Sequence, residues 1–136
     1  MQERDLQEYL YNNPEVLFHH AVITEKAKEY HIRGQRIDLL FMVDGVRYIV
    51  ELKSKIIERE NIGQVIEYYG LMKEYMKEAN LKMVLVAPEI PKWRSTFLEE
   101  LGIRCLEIKE IPNNSYESSK ITSKMKSSLK RQVKDD

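Results

Sequence analysis

The stretch Arg36-Ile37-Asp38-Leu39-Leu40-Phe41, followed by Asp44-Gly45 and then by Tyr48-Ile49-Val50-Glu51-Leu52-Lys53, decides the fold of this chain. Its two apolar runs flank an Asp-Gly pair, which is the strongest short signal for a β-hairpin. The start of the first strand is therefore predicted to lie beside the end of the second. Because strand side chains alternate between faces, Glu51 and Lys53 project to the same side. Asp38, Glu51 and Lys53 are expected to converge at one corner of a sheet, where the carboxylates can hold a divalent cation.

Hydrophobic periodicity on either side of the hairpin predicts the remaining helices and strands. Helices are predicted over residues 2–11, 61–79 and 92–101, and strands over 22–28, 36–43, 46–52, 83–87 and 103–108. A helix, a hairpin and then two helix–strand units are typical of an α/β fold, in which helices flank a mixed central β-sheet.

Composition and charge limit the classes of protein that fit. The 136 residues are 43% hydrophobic and carry 22 basic and 22 acidic side chains, so net charge alone does not indicate a nucleic-acid partner. Cys105 is the single cysteine, which excludes an intramolecular disulfide. The chain has neither a signal-peptide pattern at its start nor an apolar run long enough to span a membrane. We therefore expect a cytoplasmic protein without membrane contact.

The composition changes near Pro112, which predicts a folded domain over residues 1–111 and a C-terminal tail over 112–136. Between Ser115 and Asp136 there are six Lys or Arg residues against three acidic ones, several serines and few large apolar side chains. This segment is predicted to be a basic, flexible tail or a marginal helix. The alternative is a chain end without any role.

The Glu-x-Lys triplet has an internal control. Glu107-Ile108-Lys109 also matches at the end of a predicted strand, but no preceding hairpin partner supplies an aspartate. We interpret this second triplet as a solvated strand end. The same interpretation applied to Glu51 and Lys53 would make them an exposed ion pair that contributes little to stability.

Three features favour a functional site over that simpler interpretation. Asp38 lies on the partner strand of the hairpin. Gln64 and Tyr68 are four residues apart on the following helix and therefore share one of its faces. Glu3 lies on an N-terminal helix that can pack at the same corner.

Taken in order, these motifs resemble the PD-(D/E)xK nuclease superfamily, and within it the catalytic domain of the NucS (EndoMS) type endonucleases. The resemblance covers Glu3–Leu10, Asn13-Pro14-Glu15, Gly34–Leu40, Ile49–Lys53 and Gly63–Tyr68. Ile37 stands where many superfamily members have proline. The resemblance includes no counterpart of the N-terminal domain that longer members use for dimerisation and DNA binding, so it supports the chemistry better than mismatch recognition.

The resemblance implies a restriction-endonuclease-like core and a metal-dependent DNA endonuclease. It implies that Asp38 and Glu51 hold Mg²⁺ or Mn²⁺, and the backbone carbonyl of Leu52 is in reach as a third ligand. It further implies that Glu3 assists and that Lys53 aids the attack on phosphorus. Gln64 and Tyr68 would support the site, and the candidate DNA contacts are Arg33, Arg36 and Lys55.

The predicted function is hydrolysis of phosphodiester bonds in branched, mismatched or otherwise non-standard duplex DNA, in repair or defence. A homodimer is expected, because a lone catalytic domain offers little area for binding a duplex. The alternatives are a nuclease for RNA and a non-catalytic nucleic-acid-binding module that keeps the fold. Retention of Asp38, Glu51 and Lys53 argues against the latter, because an unused charged cluster costs stability.

Overall fold

The β-hairpin is the centre of the architecture. In the computed structural model, which describes residues 1–77 and 80–112, strands β2 and β3 pair antiparallel with Leu39 opposite Val50 and Val43 opposite Val46. Asp44 and Gly45 connect them with φ angles of +50° and +79°. Two consecutive positive φ angles are the conformation that an Asp-Gly turn favours. The predicted hairpin is confirmed.

The other elements follow the predicted order. The helices are α1 (Glu3–Asn12), α2 (Arg59–Tyr75) and α3 (Lys92–Glu100), with a short 3-10 turn at Pro14–Val16. The strands are β1 (Ile23–Ile32), β2 (Gln35–Val43), β3 (Val46–Leu52), β4 (Leu81–Ala87) and β5 (Ile103–Glu107).

These strands form one mixed sheet whose spatial order, β1-β2-β3-β4-β5, is also the order along the chain. β1, β2 and β3 are antiparallel neighbours, whereas β3, β4 and β5 run parallel and are connected through α2 and α3. Parallel neighbours need such crossover helices, which explains the alternation of helix and strand in the second half. The predicted α/β fold with helices flanking a mixed sheet is confirmed.

Helices cover the two faces of the sheet. On one face, side chains of α2 and α3 pack against alternate residues of β3 and β4; on the other, α1 and the segment near Phe18 do so. The first layer includes Ile49, Met83, Leu85, Val65, Met72 and Leu98, and the second includes Leu6, Leu10, Phe18, Phe41, Val50 and Val84. Burial on both sides explains why β3 and β4 are continuous apolar runs instead of alternating ones.

Most predicted boundaries agree to within one residue, and the larger differences are in β1, in α2 and in β4, which begins at Leu81 rather than at residue 83. β1 continues to Ile32, where the prediction ended at residue 28, because antiparallel pairing with β2 persists to the pair Ile32–Gln35. α2 begins at Arg59 rather than at residue 61, since the Asn61 side chain accepts a hydrogen bond from the Glu58 backbone N–H at 2.7 Å and caps the first turn.

α2 ends at Tyr75. Its predicted last residues, 78 and 79, and the predicted tail from residue 113 onward lie outside the described residues. Within residues 1–77 and 80–112, no helix is long and apolar enough to cross a membrane.

Candidate active site

Asp38 is a buried carboxylate held at the start of β2, with only 5% of the residue exposed. Its Oδ1 accepts a hydrogen bond from Arg36 Nη2 at 2.9 Å, and its Oδ2 accepts one from the Leu52 backbone N–H at 2.9 Å. The last regular pair between β2 and β3 joins Leu39, the residue after Asp38, to Val50. The Asp38 side chain therefore takes the place of a backbone partner for the last residue of β3.

Glu51 and Lys53 lie beside this carboxylate. Lys53 Nζ is 3.5 Å from Glu51 Oε2, and both side chains are about three-quarters or more buried. Burial, followed by the negative charge of Asp38, raises the pKa of Glu51 from 4.5 to about 7, although the Lys53 ammonium opposes this increase. Glu3 adds a smaller upward contribution to the same pKa. The structure thus brings together the three charges that the hairpin predicted.

Of the two residues predicted on α2, one contacts the cluster. The Tyr68 hydroxyl donates a hydrogen bond to the Arg36 carbonyl at 2.8 Å. Burial, followed by the charges of Glu51 and Asp38, raises the pKa of Tyr68, so the phenol remains a proton donor. Gln64 is exposed one turn earlier, and no hydrogen bond connects it to the cluster in the part of the chain that the structure describes.

Helix α1 closes the opposite side of the site. Gln7, which is buried, donates a hydrogen bond from Nε2 to the Asp38 carbonyl at 3.0 Å. Gln7 was not predicted as a site residue, although it lies four residues after Glu3 and so shares its helix face. A cavity of about 240 Å³ opens here, lined by Glu3, Arg4, Gln7, Glu29, Arg36, Asp38 and Leu52.

The three predicted DNA contacts have different positions. Arg36 belongs to the cluster through its hydrogen bond with Asp38. Arg33, in the β1–β2 turn, places its guanidinium 5.3 Å from the centre of the Tyr75 ring. Lys55 is exposed in the loop that follows β3. Only Arg36 is therefore part of the carboxylate corner.

The second Glu-x-Lys triplet has a different environment. Glu107 and Lys109 are exposed, as a solvated strand end requires. Each also makes a hydrogen bond to the loop before α3: Glu107 Oε2 accepts from the Ile90 N–H at 2.8 Å, and Lys109 Nζ donates to the Pro88 carbonyl at 3.1 Å. This triplet fixes a loop and has no counterpart of Asp38 beside it.

The donor set at the corner is compatible with a hard divalent cation. No group of three or more His, Cys, Asp or Glu side chains suited to a metal occurs among residues 1–77 and 80–112. Mg²⁺, however, is commonly held by one or two carboxylates and retains several waters. Each oxygen of Asp38 keeps a lone pair beyond the one used by Arg36 or Leu52. A cation here would also offset the repulsion that raises the pKa of Glu51.

The arrangement of sheet, helices and carboxylate corner can be compared with known proteins. The family model of the endonuclease NucS C-terminal domain matches residues 2–129. This chain belongs to the NucS C-terminal domain family. The match begins before α1 and ends beyond the last described residue, so it includes every element of this NucS-family domain.

Solved structures support the same fold. A repair endonuclease from Pyrococcus abyssi superimposes with a TM-score of 0.67 at 24% identity, covering 82% of this chain and 48% of that one. EndoMS in complex with double-stranded DNA superimposes with a TM-score of 0.63 at 25% identity, covering 82% of this chain and 45% of that one. EndoMS in its apo form superimposes with a TM-score of 0.59 at 22% identity, covering 81% of this chain and 47% of that one. The NucS-family domain therefore spans about half the length of each. Comparison with curated proteins finds no significant match.

Proposed function

We propose that this NucS-family domain is a metal-dependent endonuclease of the PD-(D/E)xK type that hydrolyses phosphodiester bonds in DNA. One observation carries the proposal: Glu51 is largely buried beside Asp38, and its burial together with the Asp38 charge raises the pKa of Glu51, although Lys53 lies 3.5 Å from Glu51 and Arg36 pairs with Asp38. Like charges held together at this depth are costly to a fold. Such pairs are typical of sites where a cation or substrate supplies the missing countercharge.

Each residue at the corner has a role that its contacts allow. In the proposal Asp38 and Glu51 are the metal ligands, with the Leu52 carbonyl as a third, and Arg36 and the Leu52 N–H hold Asp38 in position. Lys53 is a compact positive charge that can orient the attacking water or stabilise charge on the phosphate. Glu3 lines the cavity beside Asp38, the exposed Gln64 is proposed to contact the substrate, and Tyr68 positions the start of β2 through the Arg36 carbonyl.

Mg²⁺ or Mn²⁺ fits this oxygen-donor set, and such an ion supplies a bound water of lowered pKa and neutralises charge on the phosphate. Burial of the corner strengthens the electrostatic interactions among its groups, because they are partly removed from water.

DNA is the proposed substrate because one of the similar solved structures is EndoMS in complex with double-stranded DNA. The P. abyssi protein is described as a repair endonuclease. We extend these descriptions to a branched, mismatched or otherwise non-standard duplex. Arg33, Arg36 and Lys55 would contact its phosphates, which fix register and orientation without reading sequence.

A non-catalytic nucleic-acid-binding module is the second candidate. It is favoured by the lack of a group of three metal-ligating side chains within residues 1–77 and 80–112. Against it stands the cost of keeping Glu51 buried beside Asp38, which a module without chemistry has no reason to retain.

The decisive experiment combines substrates with matched variants. The protein is incubated with flap, splayed, mismatched and junction DNAs, and with RNA of the same sequence, in Mg²⁺, Mn²⁺ or EDTA. Asp38→Asn keeps an oxygen for the Leu52 N–H, and Glu51→Gln keeps the shape of Glu51, so both should fold. We expect cleavage by the wild type with metal and none by either variant. Full activity in either variant, or wild-type cleavage in EDTA, would contradict the metal site.

A further inference from the structure

Helix α3 presents an apolar row to the surface. Trp93, Phe97 and Leu101, the last of which directly follows the helix, are 71%, 49% and 45% exposed, while Leu98 on a neighbouring face of the helix is buried in the core. Residues spaced by four lie along one face of a helix and form a continuous ridge. We call these three residues the α3 row. A large, contiguous apolar surface on a domain of this kind marks a site of contact with another segment or molecule.

Two depressions border the α3 row. One, of about 360 Å³, lies towards the start of α2 and is lined by Arg59, Ile62, Gly63, Trp93, Arg94 and Phe97. The other, of about 730 Å³, lies towards β5, and its lining includes Trp93 and three carboxylates. Those carboxylates are Glu89, Glu99 and Glu107, and the same lining also holds Lys92 and Arg94, of which Arg94 donates to the Ile57 carbonyl. The carboxylates outnumber these cations, so an occupant that combines an apolar ridge with positive charge can pair with them.

Residues 120–134 of the same chain have that combination, and we call them the C-terminal basic segment. Large apolar residues recur at every fourth position, interleaved with cations. The apolar positions are Ile121, Met125, Leu129 and Val133, and the cations are Lys120, Lys124, Lys126, Lys130, Arg131 and Lys134. Rows spaced by four on two helices interdigitate in the commonest class of helix–helix packing.

The described chain ends close enough for this contact. Glu107 and Lys109 are hydrogen-bonded to Ile90 and Pro88, in the loop that leads directly into α3. Nine residues from Pro112 to Ile121 can span up to about 30 Å. The α3 row itself is only about 12 Å long, at 1.5 Å of rise per residue. The family match also continues through Leu129, so most of the C-terminal basic segment belongs to the family's domain.

We infer that the C-terminal basic segment folds back onto its own domain and covers the α3 row. Its apolar residues pack against Trp93 and Phe97, and its lysines face the carboxylates of the larger depression and the solvent. The contact is intramolecular, because the short connection between Pro112 and Ile121 keeps the C-terminal basic segment near the α3 row of its own chain. It turns an exposed apolar face into a basic surface on the domain.

Trp93 makes this inference directly measurable, because it is the only tryptophan in the 136 residues. Its emission maximum and its quenching by acrylamide report the exposure of the α3 row in the 136-residue protein. The test variant is Met125→Asp/Leu129→Asp, which places charges in the apolar row of the segment. The matched control is Ser123→Asp/Ser127→Asp, which adds the same charges at positions off that row.

In the wild type and the control we expect short-wavelength emission and weak quenching, independent of protein concentration. The test variant should shift emission to longer wavelength and increase quenching, while its circular dichroism melting curve still shows a folded domain. Three outcomes would overturn the inference: an exposed Trp93 in the wild type, equal exposure in both variants, or protection that is lost on dilution, which would assign the covering segment to a second molecule.

Discussion

Glu51 should make the stability of the metal-free protein depend on pH. Its pKa is raised from 4.5 to about 7 in the folded state, so between these values the folded protein binds more protons than the unfolded chain. The free energy of unfolding therefore falls as pH rises through this window, by up to about 3 kcal/mol at 1.4 kcal/mol per pKa unit. Chemical denaturation in EDTA at several pH values measures this dependence.

Glu51→Gln removes the titrating group and should flatten that part of the profile. Glu15→Gln, at an exposed position in the 3-10 turn, is the control and should leave the profile as in the wild type. A slope that persisted in Glu51→Gln would show that another group is responsible.

The two Glu-x-Lys triplets allow a comparison between lysines. Lys53 pairs with Glu51 beside Asp38, whereas Lys109 donates to the Pro88 carbonyl at the loop before α3. We expect Lys53→Ala to lower the cleavage rate by roughly 10²-fold or more, since it removes a positive charge that faces the phosphate. Lys109→Ala should stay within a few-fold of the wild type. The measurement is the single-turnover cleavage rate. Equal losses of rate in the two variants would show that the neighbouring Asp38 does not distinguish Lys53 from Lys109.

At the level of elements, one hydrogen bond from α2 fixes the first residues of β2. The Tyr68 hydroxyl donates to the Arg36 carbonyl, two residues before Asp38. Tyr68→Phe should lower the free energy of unfolding by about 1 kcal/mol, and it should slow cleavage more than it weakens DNA binding. Tyr69→Phe, one residue along the same helix, is the control. Loss of binding with an unchanged rate in Tyr68→Phe would instead make Tyr68 a DNA contact.

The hairpin and the central strands were predictable because their signals are local. Asp44-Gly45 specifies its turn, and strands buried on both faces are continuous apolar runs. β1 was harder, since most of its side chains are exposed at the edge of the sheet and carry no hydrophobic period. Its full length is set by backbone pairing with β2, which the sequence of β1 alone does not encode.

The sequence predicts which charged residues meet at the carboxylate corner, but it does not predict the hydrogen bonds that hold them there. The convergence of Asp38, Glu51 and Lys53 follows from strand pairing and alternation. Asp38 accepts a hydrogen bond from the Leu52 N–H in place of a backbone partner, because regular pairing between β2 and β3 stops at Leu39 and Val50. The bond from Gln7 depends on how α1 docks on the sheet, which is a tertiary property. Gln64 and the predicted dimer remain predictions.

For the whole molecule, binding to a polyanion must rely on uneven charge, since the net charge is zero. The C-terminal basic segment is the densest source of cations. Replacing Lys120, Lys124, Lys126 and Lys130 with Gln should weaken DNA binding and reduce the slope of log K against log salt by at most about 4, because each phosphate contact contributes about 0.9. The bond that is cleaved should not change. An unchanged slope would show that the segment does not reach DNA.

A homodimer is expected to place two active sites on one duplex. If the α3 row is covered, the two-fold contact is best sought along the edge strand β1, where Val22 just before it and Tyr30 are exposed. An isologous contact between edge strands satisfies unpaired backbone groups in both copies. Sedimentation equilibrium should give twice the chain mass, and Val22→Glu should lower it. A monomeric mass at working concentration would remove the paired-site proposal.

The coincidence of spatial and chain order in the sheet has a consequence for biosynthesis. Each strand pairs with the one synthesised just before it, so no strand must wait for a later one to be inserted between neighbours. Synthesis delivers the N-terminal segments first, whereas a domain generally folds as a unit. The meander β1–β2–β3, which contains both carboxylates, is therefore complete on the nascent chain before the crossover helices are synthesised, and none of its strand pairings depends on a later segment. The hydrogen bond from Arg104 to the Leu17 carbonyl, 87 residues apart, is then among the last to form.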